Sequence, residues 1–457
     1  MIAFTNVTQM PKQDNSLSQC QANNETEFNK LISYRASKGA TVSTETPVKT
    51  ILGIPITVWQ IGLMMFLMNL SYVIAYSFSG LYIKNILGAT ALSIGILEGL
   101  CETVSYLMKL CSGVISDWMG KRKAIMIFGY SFSVVSKIML GLSSTFGLVF
   151  TAKVFERFGN GMQASPRDAI VADIAPHGKI GASYGLKRSL AHTGSVLGGL
   201  SGILAMKLTN GNFQHVFMIA ACPAVIAFII LVFFLKEPKK LKNQDLSTQT
   251  TTEQTNQTKD VKFSLKNIKY LGKTFWSIIL INIIFMLSRM DEQFLILNYN
   301  ENFVHDVFLA PTVMIIMNIG ALSASYPCGR IGDKMNRTKL LLIGVFVLVT
   351  SDLLMYTASS TFMMYCGILL WGVQTGVSQN VFYSLIAENV ISSLRGTALG
   401  IYWLTNAFAV FLANFIAGHV AHWFNYRTVF LSSGIVATIT IFALIWVISK
   451  DCIAKKM

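Results

Sequence analysis

Twelve apolar stretches, each long enough to cross a lipid bilayer, restrict the fold of this chain more than any other feature. A transmembrane helix needs about 20 predominantly apolar residues. The stretches lie near residues 57–82, 90–115, 124–142, 147–172, 182–206, 214–235, 274–297, 307–332, 338–357, 362–388, 394–418 and 426–449. We therefore predict an all-α integral membrane protein with twelve transmembrane helices.

The charge content of the chain agrees with a membrane location. Only 13% of the residues are charged and 53% are hydrophobic, whereas about a quarter of the residues of a soluble protein are charged. One or two soluble cores cannot hide this much apolar surface, so the lipid bilayer is the expected surrounding. The net charge of +15 does not indicate nucleic-acid binding, because the cations cluster in short connectors and not along a helix face.

Polar segments divide the chain into five predicted parts. Residues 1–55 are rich in Asn, Gln, Ser and Thr, and we expect them to form a disordered tail. Residues 236–272 are predicted to be a flexible linker. The linker separates two six-helix bundles, residues 56–235 and 273–450, and residues 451–457 form a second short tail.

The distribution of Lys and Arg predicts the orientation in the membrane. Twelve crossings place both termini on one side, and the tails, the linker and the loops near 121–123 and 334–339 bring most cations to that side. Cytoplasmic loops carry the excess of Lys and Arg. We therefore predict that both termini are cytoplasmic and that the chain lies in the inner (plasma) membrane.

The two halves of the chain repeat each other. The segment SGVISDWMGKRK at 112–123 is similar to CGRIGDKMNRTK at 328–339, 216 positions later. Four further pairs are 215 positions apart: Gly161 and Gly376, Asp173 and Glu388, Gly181 and Gly396, Gly185 and Gly400. Internal repeats are typical of transporters that alternate between two access states, and they predict two pseudo-symmetric bundles.

The first of these segments resembles the signature of the major facilitator superfamily between helices two and three, Gly-x-x-x-Asp-(Arg/Lys)-x-Gly-(Arg/Lys)-(Arg/Lys). The matching residues are Gly113, Asp117, Gly120, Lys121 and Arg122, with Trp118 where a cation is usual. A degenerate second copy contains Gly329, Asp333 and Arg337. The runs RFGNGMQASPRDAIVADIAP in helix four and GASYGLKRSLAHTGSVLGGLSG in helix five are also similar to bacterial members.

The resemblance implies the twelve-helix fold of this superfamily, a monomer, and transport by rocking of two bundles. It also implies that Asp117, Arg122 and Asp173 hold the cytoplasmic side closed while the outer side is open. Neither the substrate nor the direction of transport follows from it.

Helix two carries three ionisable residues on one face, because Glu98, Glu102 and Lys109 are spaced i, i+4 and i+11. An ionisable side chain at membrane depth needs a partner or a water-filled cavity. Two carboxylates one turn apart repel each other unless a cation approaches or one of them binds a proton. Both a proton-coupling role and a structural salt bridge with Lys109 or Arg157 fit the two glutamates.

Helices four, five, seven and nine supply the other candidates. Arg157 lies nearest mid-depth in helix four, and the resemblance implies a role in substrate binding or proton coupling. His192 either titrates near neutral pH or makes a satisfied polar contact. Asp291 is predicted to lie toward the outer end of helix seven, as a substrate contact or in an exposed vestibule. Asp352 lies inside helix nine without an evident partner in the sequence.

The predicted function is secondary active transport of a small organic solute by alternating access, coupled to protons. Efflux of drugs or metabolites by proton antiport is the alternative to uptake, and a non-transporting membrane sensor is a remoter one. The sequence has no Walker motif, no C-x-x-C pair and no Cys/His cluster. We therefore expect no cofactor, no metal and no enzymatic activity, since only His419 and His422 lie at helical spacing.

Overall fold

The fold is described from a computed structural model. It describes residues 50–51, 53–119, 121–175, 180–235, 271–332, 337–378, 382, 385–386, 390 and 395–454. Most of the predicted N-terminal tail and linker, Gly120, Asp333 and residues 455–457 lie outside the described residues. The predicted division into tails, bundles and linker therefore stays a prediction.

The first half of the chain contains six long helices at the predicted positions. They are α1 (Ile56–Leu81), α2 (Ala91–Met119), α3 (Arg122–Gly141), α4 (Phe146–Ile174), α5 (Ile180–Leu208) and α6 (Phe213–Ile229). Two strands of two residues each, Thr50–Ile51 and Ile54–Pro55, precede α1. A π-helical turn extends α1 over Tyr82–Ile86, and another extends α6 over Ile230–Phe234.

The second half differs because its first helix is interrupted. Its helices are α7 (Lys273–Leu287), α8 (Gln293–Asn302), α9 (Pro311–Gly332), α10 (Arg337–Thr357), α11 (Thr361–Ser378), α12 (Arg395–Trp423) and α13 (Tyr426–Ala454), with a 3-10 turn at Val307–Leu309. The prediction of one continuous helix over 274–297 is wrong, since residues 288–292 are not helical. We call these five residues the helix-seven break.

Apolarity alone identifies only part of the membrane-spanning set. Eight of the described helical stretches are long and apolar enough to cross a membrane. α4 is not among them, because it carries Lys153, Glu156, Arg157, Arg167 and Asp168 along its length. α4, one of the helices outside this set, thus carries more charged residues than any other described helix.

The sequence repeat corresponds to equivalent packing in the two halves. A Cβ added at Gly161 of α4 would lie 2.6 Å from the carbonyl oxygen of Ser105 in α2. A Cβ added at Gly376 of α11 would lie 2.8 Å from the carbonyl oxygen of Ala321 in α9. Ser105 and Ala321 are 216 positions apart. In each half, therefore, a glycine lets the same two helices approach at the same point.

Two helix pairs make the largest contacts between the halves: α2 packs on α12, and α5 packs on α9. We call the end at which α1 finishes and α2 begins the predicted outer end. Near it, a Cβ on Gly95 of α2 would lie only 2.7 Å from Cα of Gly418 in α12. Lys84 and Glu301 form an ion pair at the same end. The halves are therefore packed closely together toward the predicted outer end.

Candidate functional site

Arg157 of α4 lies between carboxylates that belong to the two halves of the chain. Its Nη1 is 2.7 Å from Oε1 of Glu102 in α2, and its Nη2 is 3.9 Å from Oδ2 of Asp291 in the helix-seven break. Nη2 also donates a hydrogen bond to the Tyr72 hydroxyl at 3.0 Å. One guanidinium thus contacts two carboxylates, and its ion pair with Asp291 crosses the boundary between the halves.

Asp291 is fixed by hydrogen bonds that replace those of a continuous helix. Its backbone N–H donates to Oδ1 of Asn414 in α12 at 2.7 Å, and its carboxylate accepts from the Tyr76 hydroxyl and from the Gln293 N–H. The prediction that Asp291 lies toward the outer end is wrong. Helix seven continues as far as Asn302, so the break falls near the middle of its length.

Glu98 pairs with a cation that we did not predict. Its carboxylate forms an ion pair with Lys153 of α4, and the two residues are 0% and 5% exposed. α2 and α4 run in the same direction, so the i, i+4 pair Glu98 and Glu102 meets the i, i+4 pair Lys153 and Arg157. The predicted partners Lys109 and Arg157 are therefore wrong for Glu98, while Glu102 does meet Arg157.

Two further buried charges occupy equivalent positions in the halves, 215 residues apart. Lys137 of α3 forms an ion pair with Glu156 of α4. Asp352 of α10 instead accepts a hydrogen bond from the Ser433 hydroxyl at 2.6 Å. Its other carboxylate oxygen, Oδ1, has no hydrogen-bond partner among the described residues. The partner of Asp352 that the sequence did not reveal is thus a neutral hydroxyl.

Arg289 lies in the helix-seven break and contacts only neutral groups in the described part of the chain. Its Nη1 donates to the Gln374 side chain and to the Thr375 hydroxyl at 3.1 Å. The guanidinium carbon is 4.1 Å from the centre of the Trp371 ring. Glu292 lies three residues further along the chain, and it is not within ion-pair distance of Arg289 among the described contacts.

Lys109 of α2 likewise has aromatic neighbours in place of a carboxylate within the described ranges. Its Nζ is 4.5 Å from the Tyr106 ring centre and 5.6 Å from the Trp403 ring centre. A cation–π contact is worth about 0.5–2 kcal/mol, whereas removing an ion from water costs several kcal/mol. These contacts therefore compensate the charge only in part.

A comparison with known protein families identifies the family of this chain. The family model described as Major Facilitator Superfamily matches residues 61–412 and 281–451, which together span most of the chain. The chain belongs to the major facilitator superfamily. This confirms the predicted family and the predicted fold class, a mostly helical membrane protein of this superfamily, and the predicted count of twelve spanning helices is consistent with it.

Individual members of the superfamily show how far the similarity extends. An uncharacterized MFS-type transporter of Methanocaldococcus jannaschii is 27% identical over 344 residues, covering 73% of this chain and 80% of the relative. A solved POT family transporter has a TM-score of 0.71 at 14% identity, over 89% of this chain and 98% of that one. A D-xylose-proton symporter has a TM-score of 0.62 at 15% identity, over 85% and 96%. The solved structures share the fold of this chain.

The gate residues implied by the superfamily signature are described in part. Arg122, the first residue of α3, forms an ion pair with Asp173 near the end of α4. Lys121 is exposed in the short connector, and Gly113 lies within α2 near Ser165. Gly120, Asp333 and the side chain of Asp117 lie outside the described parts of the chain, whereas Gly329 lies in α9 and Arg337 begins α10.

His192 makes the polar contact that was one of its two predicted roles. Its Nδ1 is 3.0 Å from Oδ1 of Asn318. Because His192 lies in α5 and Asn318 in α9, this contact joins the two halves of the superfamily fold. A role in proton coupling remains a prediction.

Several members of the site were missed in the sequence. Tyr72 and Gln293 carry no charge, and nothing in a single apolar helix distinguishes them from core residues. Asn414 is one of several polar residues within α12, and its hydrogen bond to the helix-seven break depends on tertiary packing. Lys137 could be recognised in the sequence as a residue that needs a partner, since it is a lysine within a spanning helix. The sequence does not identify Glu156 as that partner.

Proposed function

We propose that this chain is a proton-coupled secondary transporter of a small organic solute, with Glu102, Arg157 and Asp291 as its coupling site. The observation that carries the proposal is the position of Arg157. It lies 2.7 Å from a carboxylate of the first half and 3.9 Å from a carboxylate of the second. A proton on either carboxylate would remove one of the two ion pairs.

Loss of one ion pair changes how strongly the halves are held together. If Glu102 binds a proton, Arg157 is left to pair with Asp291 across the boundary. If Asp291 binds the proton, the guanidinium pairs only within the first half. Protonation would thus bias the rocking of the two bundles, which is what coupling requires. The solved D-xylose-proton symporter of the same fold shows that such a scaffold is compatible with proton coupling.

The proposal includes the orientation and location predicted from the charges. The chain would lie in the plasma membrane as a monomer, with both termini in the cytoplasm. The ends of the helices at which Arg122 and Asp173 meet would then face the cytoplasm, and the close packing of Gly95 on Gly418 would close the outside.

The test is proton movement in liposomes that contain the purified protein and a pH-sensitive dye. Sugars, polyols, nucleosides, peptides and organic anions are added to wild type, Glu102→Gln and Asp291→Asn. We expect a solute-dependent pH change in wild type and its loss in both variants. The sign of the pH change separates uptake by symport from efflux by antiport.

Asp306→Asn is the matched control. Asp306 is an exposed carboxylate at the predicted outer end, where its side chain accepts from the Phe308 N–H and an Asn side chain can accept in the same way. A variant that binds solute but moves no protons marks a coupling residue. Solute-dependent proton movement that persists in Glu102→Gln and Asp291→Asn would contradict the coupling site. Solute flux in wild type without any proton movement would contradict proton coupling itself.

A further inference from the structure

We propose that Arg289 and Lys109 bind the anionic group of the transported solute, so that the substrate is an organic anion with a flat apolar part. The anionic group is a carboxylate or a phosphate, since the oxygens of both accept hydrogen bonds from Arg and Lys. This inference rests on the proposed transport function and names its substrate class.

The first step is that neither cation is neutralised by an ion pair with a described carboxylate. In the described part of the chain neither has a carboxylate within ion-pair distance, unlike Arg157, Lys137 and Lys153, which all do. Arg289 uses Nη1 for two neutral partners, and the described contacts leave its Nε and Nη2 available. All three ammonium hydrogens of Lys109 are free of hydrogen bonds to described side chains. A solute oxygen is therefore the missing partner.

The second step is that a solute can reach both side chains. Lys109 and Arg289 are each partly accessible. Lys109 belongs to α2 of the first half and lies beside Trp403 of the second half. Arg289 belongs to the helix-seven break, and it interacts electrostatically with Glu102 and Tyr106 of the first half. Their accessible surfaces thus lie between the halves, where an alternating-access carrier holds its substrate.

The third step concerns the walls around the cations. The Tyr106 and Trp403 ring centres are 5.8 Å apart, and those of Tyr402 and Trp403 are 4.9 Å apart. Trp371 stacks on the Arg289 guanidinium. Aromatic faces provide flat apolar contact area. A solute with an anionic group and a ring or another planar apolar part fits such walls better than a fully polar sugar.

The fourth step takes account of the acidic groups that face the same space. Glu102, Asp291 and Glu292 oppose the three cations Arg157, Arg289 and Lys109, so these groups are balanced in charge when all are ionised. If one of these three carboxylates binds a proton, one cation is left uncompensated. The space between the halves can then accept one negative charge.

The experiment measures binding without a gradient, by isothermal titration calorimetry of the full chain in lipid nanodiscs. The probes are benzoate, 3-phenylpropionate and phenyl phosphate, with benzamide and benzylamine as the neutral and cationic analogues, and empty nanodiscs give the background. We expect at least one anion to bind, and benzamide and benzylamine to bind about tenfold more weakly or not at all.

Substitutions then locate the binding site. Arg289→Gln and Lys109→Gln should each weaken the binding of that anion by about tenfold or more, and Arg289→Lys should weaken it less than Arg289→Gln. Lys207→Gln is the control, because Lys207 is an exposed lysine at the predicted outer end of α5. Each variant must elute as a single folded species in size-exclusion chromatography before it is titrated.

Three results would overturn the inference: no anion binds, benzamide or benzylamine binds as tightly as the anions, or folded Arg289→Gln and Lys109→Gln bind like wild type. The result is independent of the test of proton coupling. A chain that binds anions but moves no protons supports the anion site and contradicts the coupling. A chain that moves protons only with neutral solutes contradicts the anion site and supports the coupling.

Discussion

Lys137 and Asp352 show how a single buried charge can be accommodated in two ways within one fold. The two residues occupy equivalent positions in α3 and α10, and they are 1% and 0% exposed. Lys137 has a full ion-pair partner in Glu156, whereas Asp352 has, among the residues that the structure describes, only the Ser433 hydroxyl. Removing the partner of a buried, paired charge lowers the stability of the fold. Neutralising a buried carboxyl that has no cation beside it lowers the stability little.

We expect the two positions to respond differently to neutralisation. Lys137→Met leaves Glu156 buried without a partner, and breaking a buried pair in this way costs about 3–5 kcal/mol. Asp352→Asn keeps an oxygen that accepts from Ser433 and should change the free energy of unfolding by about 1 kcal/mol or less. Thermal unfolding of the detergent-purified variants measures the difference. Equal losses of stability would contradict this reading of Asp352.

The Glu98–Lys153 pair permits a stricter test, because its two members can be removed together. Glu98→Gln alone leaves the Lys153 ammonium buried and unpaired, and should lower stability by about 3–5 kcal/mol. Glu98→Gln combined with Lys153→Met removes both charges and should recover much of that loss. The midpoint of thermal unfolding is measured for both variants. A double variant less stable than Glu98→Gln would show that the pair is not the source of the loss.

At the level of the helices, glycines fix how closely α2 and α4 approach. Gly161→Ala would place its Cβ 2.6 Å from the Ser105 carbonyl oxygen, so the helices must move apart, and we expect a loss of about 1–3 kcal/mol. Gly185→Ala is the control, because no atom of a described residue lies within 4 Å of its added Cβ. Alanine should stabilise α5 there by up to about 1 kcal/mol.

Thermal unfolding of the two variants in the same detergent checks this prediction. A Gly161→Ala variant as stable as Gly185→Ala would mean that α2 and α4 are not in close contact at Ser105. The equivalent substitution Gly376→Ala in α11 should resemble Gly161→Ala, since its Cβ would lie 2.8 Å from the Ala321 carbonyl oxygen.

The positions of the helices could be predicted from the sequence because length and apolarity determine which segments cross a bilayer. The break in helix seven could not. The residues around it, SRMDE, contain neither Pro nor Gly, so no local signal for a break is present. The break is held by distant side chains, which only the folded chain brings near. Oδ1 of Asn414 accepts from the Asp291 N–H, and the Ser433 hydroxyl is shared between Asp352 and the Ser288 carbonyl oxygen, each 2.6 Å away.

The candidate site was predictable to the same degree. Glu102, Arg157 and Asp291 were identified because charges at membrane depth are rare and need partners. The choice of partners was only partly correct: Glu98 meets Lys153 in place of Lys109. Spacing along one helix shows which residues share a face, but it does not show the relative height of a neighbouring helix. The relative height of two neighbouring helices decides which of their residues form ion pairs.

At the scale of the whole molecule, the ion pair between Lys84 and Glu301 holds the two halves together at the predicted outer end. Lys84→Glu should replace this attraction by repulsion and favour opening at that end. Because a partly exposed pair contributes at most about 1 kcal/mol, we expect about a fivefold change or less in the population that is open. Lys84→Glu with Glu301→Lys should restore the wild-type population.

The measurement uses a background without native cysteines, in which Gln293→Cys reports opening. Gln293 begins α8, is 0% exposed and donates a hydrogen bond across the boundary to the Tyr76 carbonyl of α1. A membrane-impermeant maleimide added from outside should label Gln293→Cys faster in the Lys84→Glu variant than in the parent. Equal labelling rates would show that the Lys84–Glu301 pair does not control the outer opening, and restoration by the double exchange excludes a general loss of structure.

The balanced charges between the halves have an electrical consequence. Moving one elementary charge across a membrane potential of 100 mV takes about 2.3 kcal/mol. Arg157, Arg289 and Lys109 carry as much charge as Glu102, Asp291 and Glu292, and one anion together with one proton adds none. The empty carrier and the loaded carrier would therefore both move no net charge across the membrane. The membrane potential then does no work on either movement. A carrier built in this way would be driven by a concentration difference of protons and would pass no current.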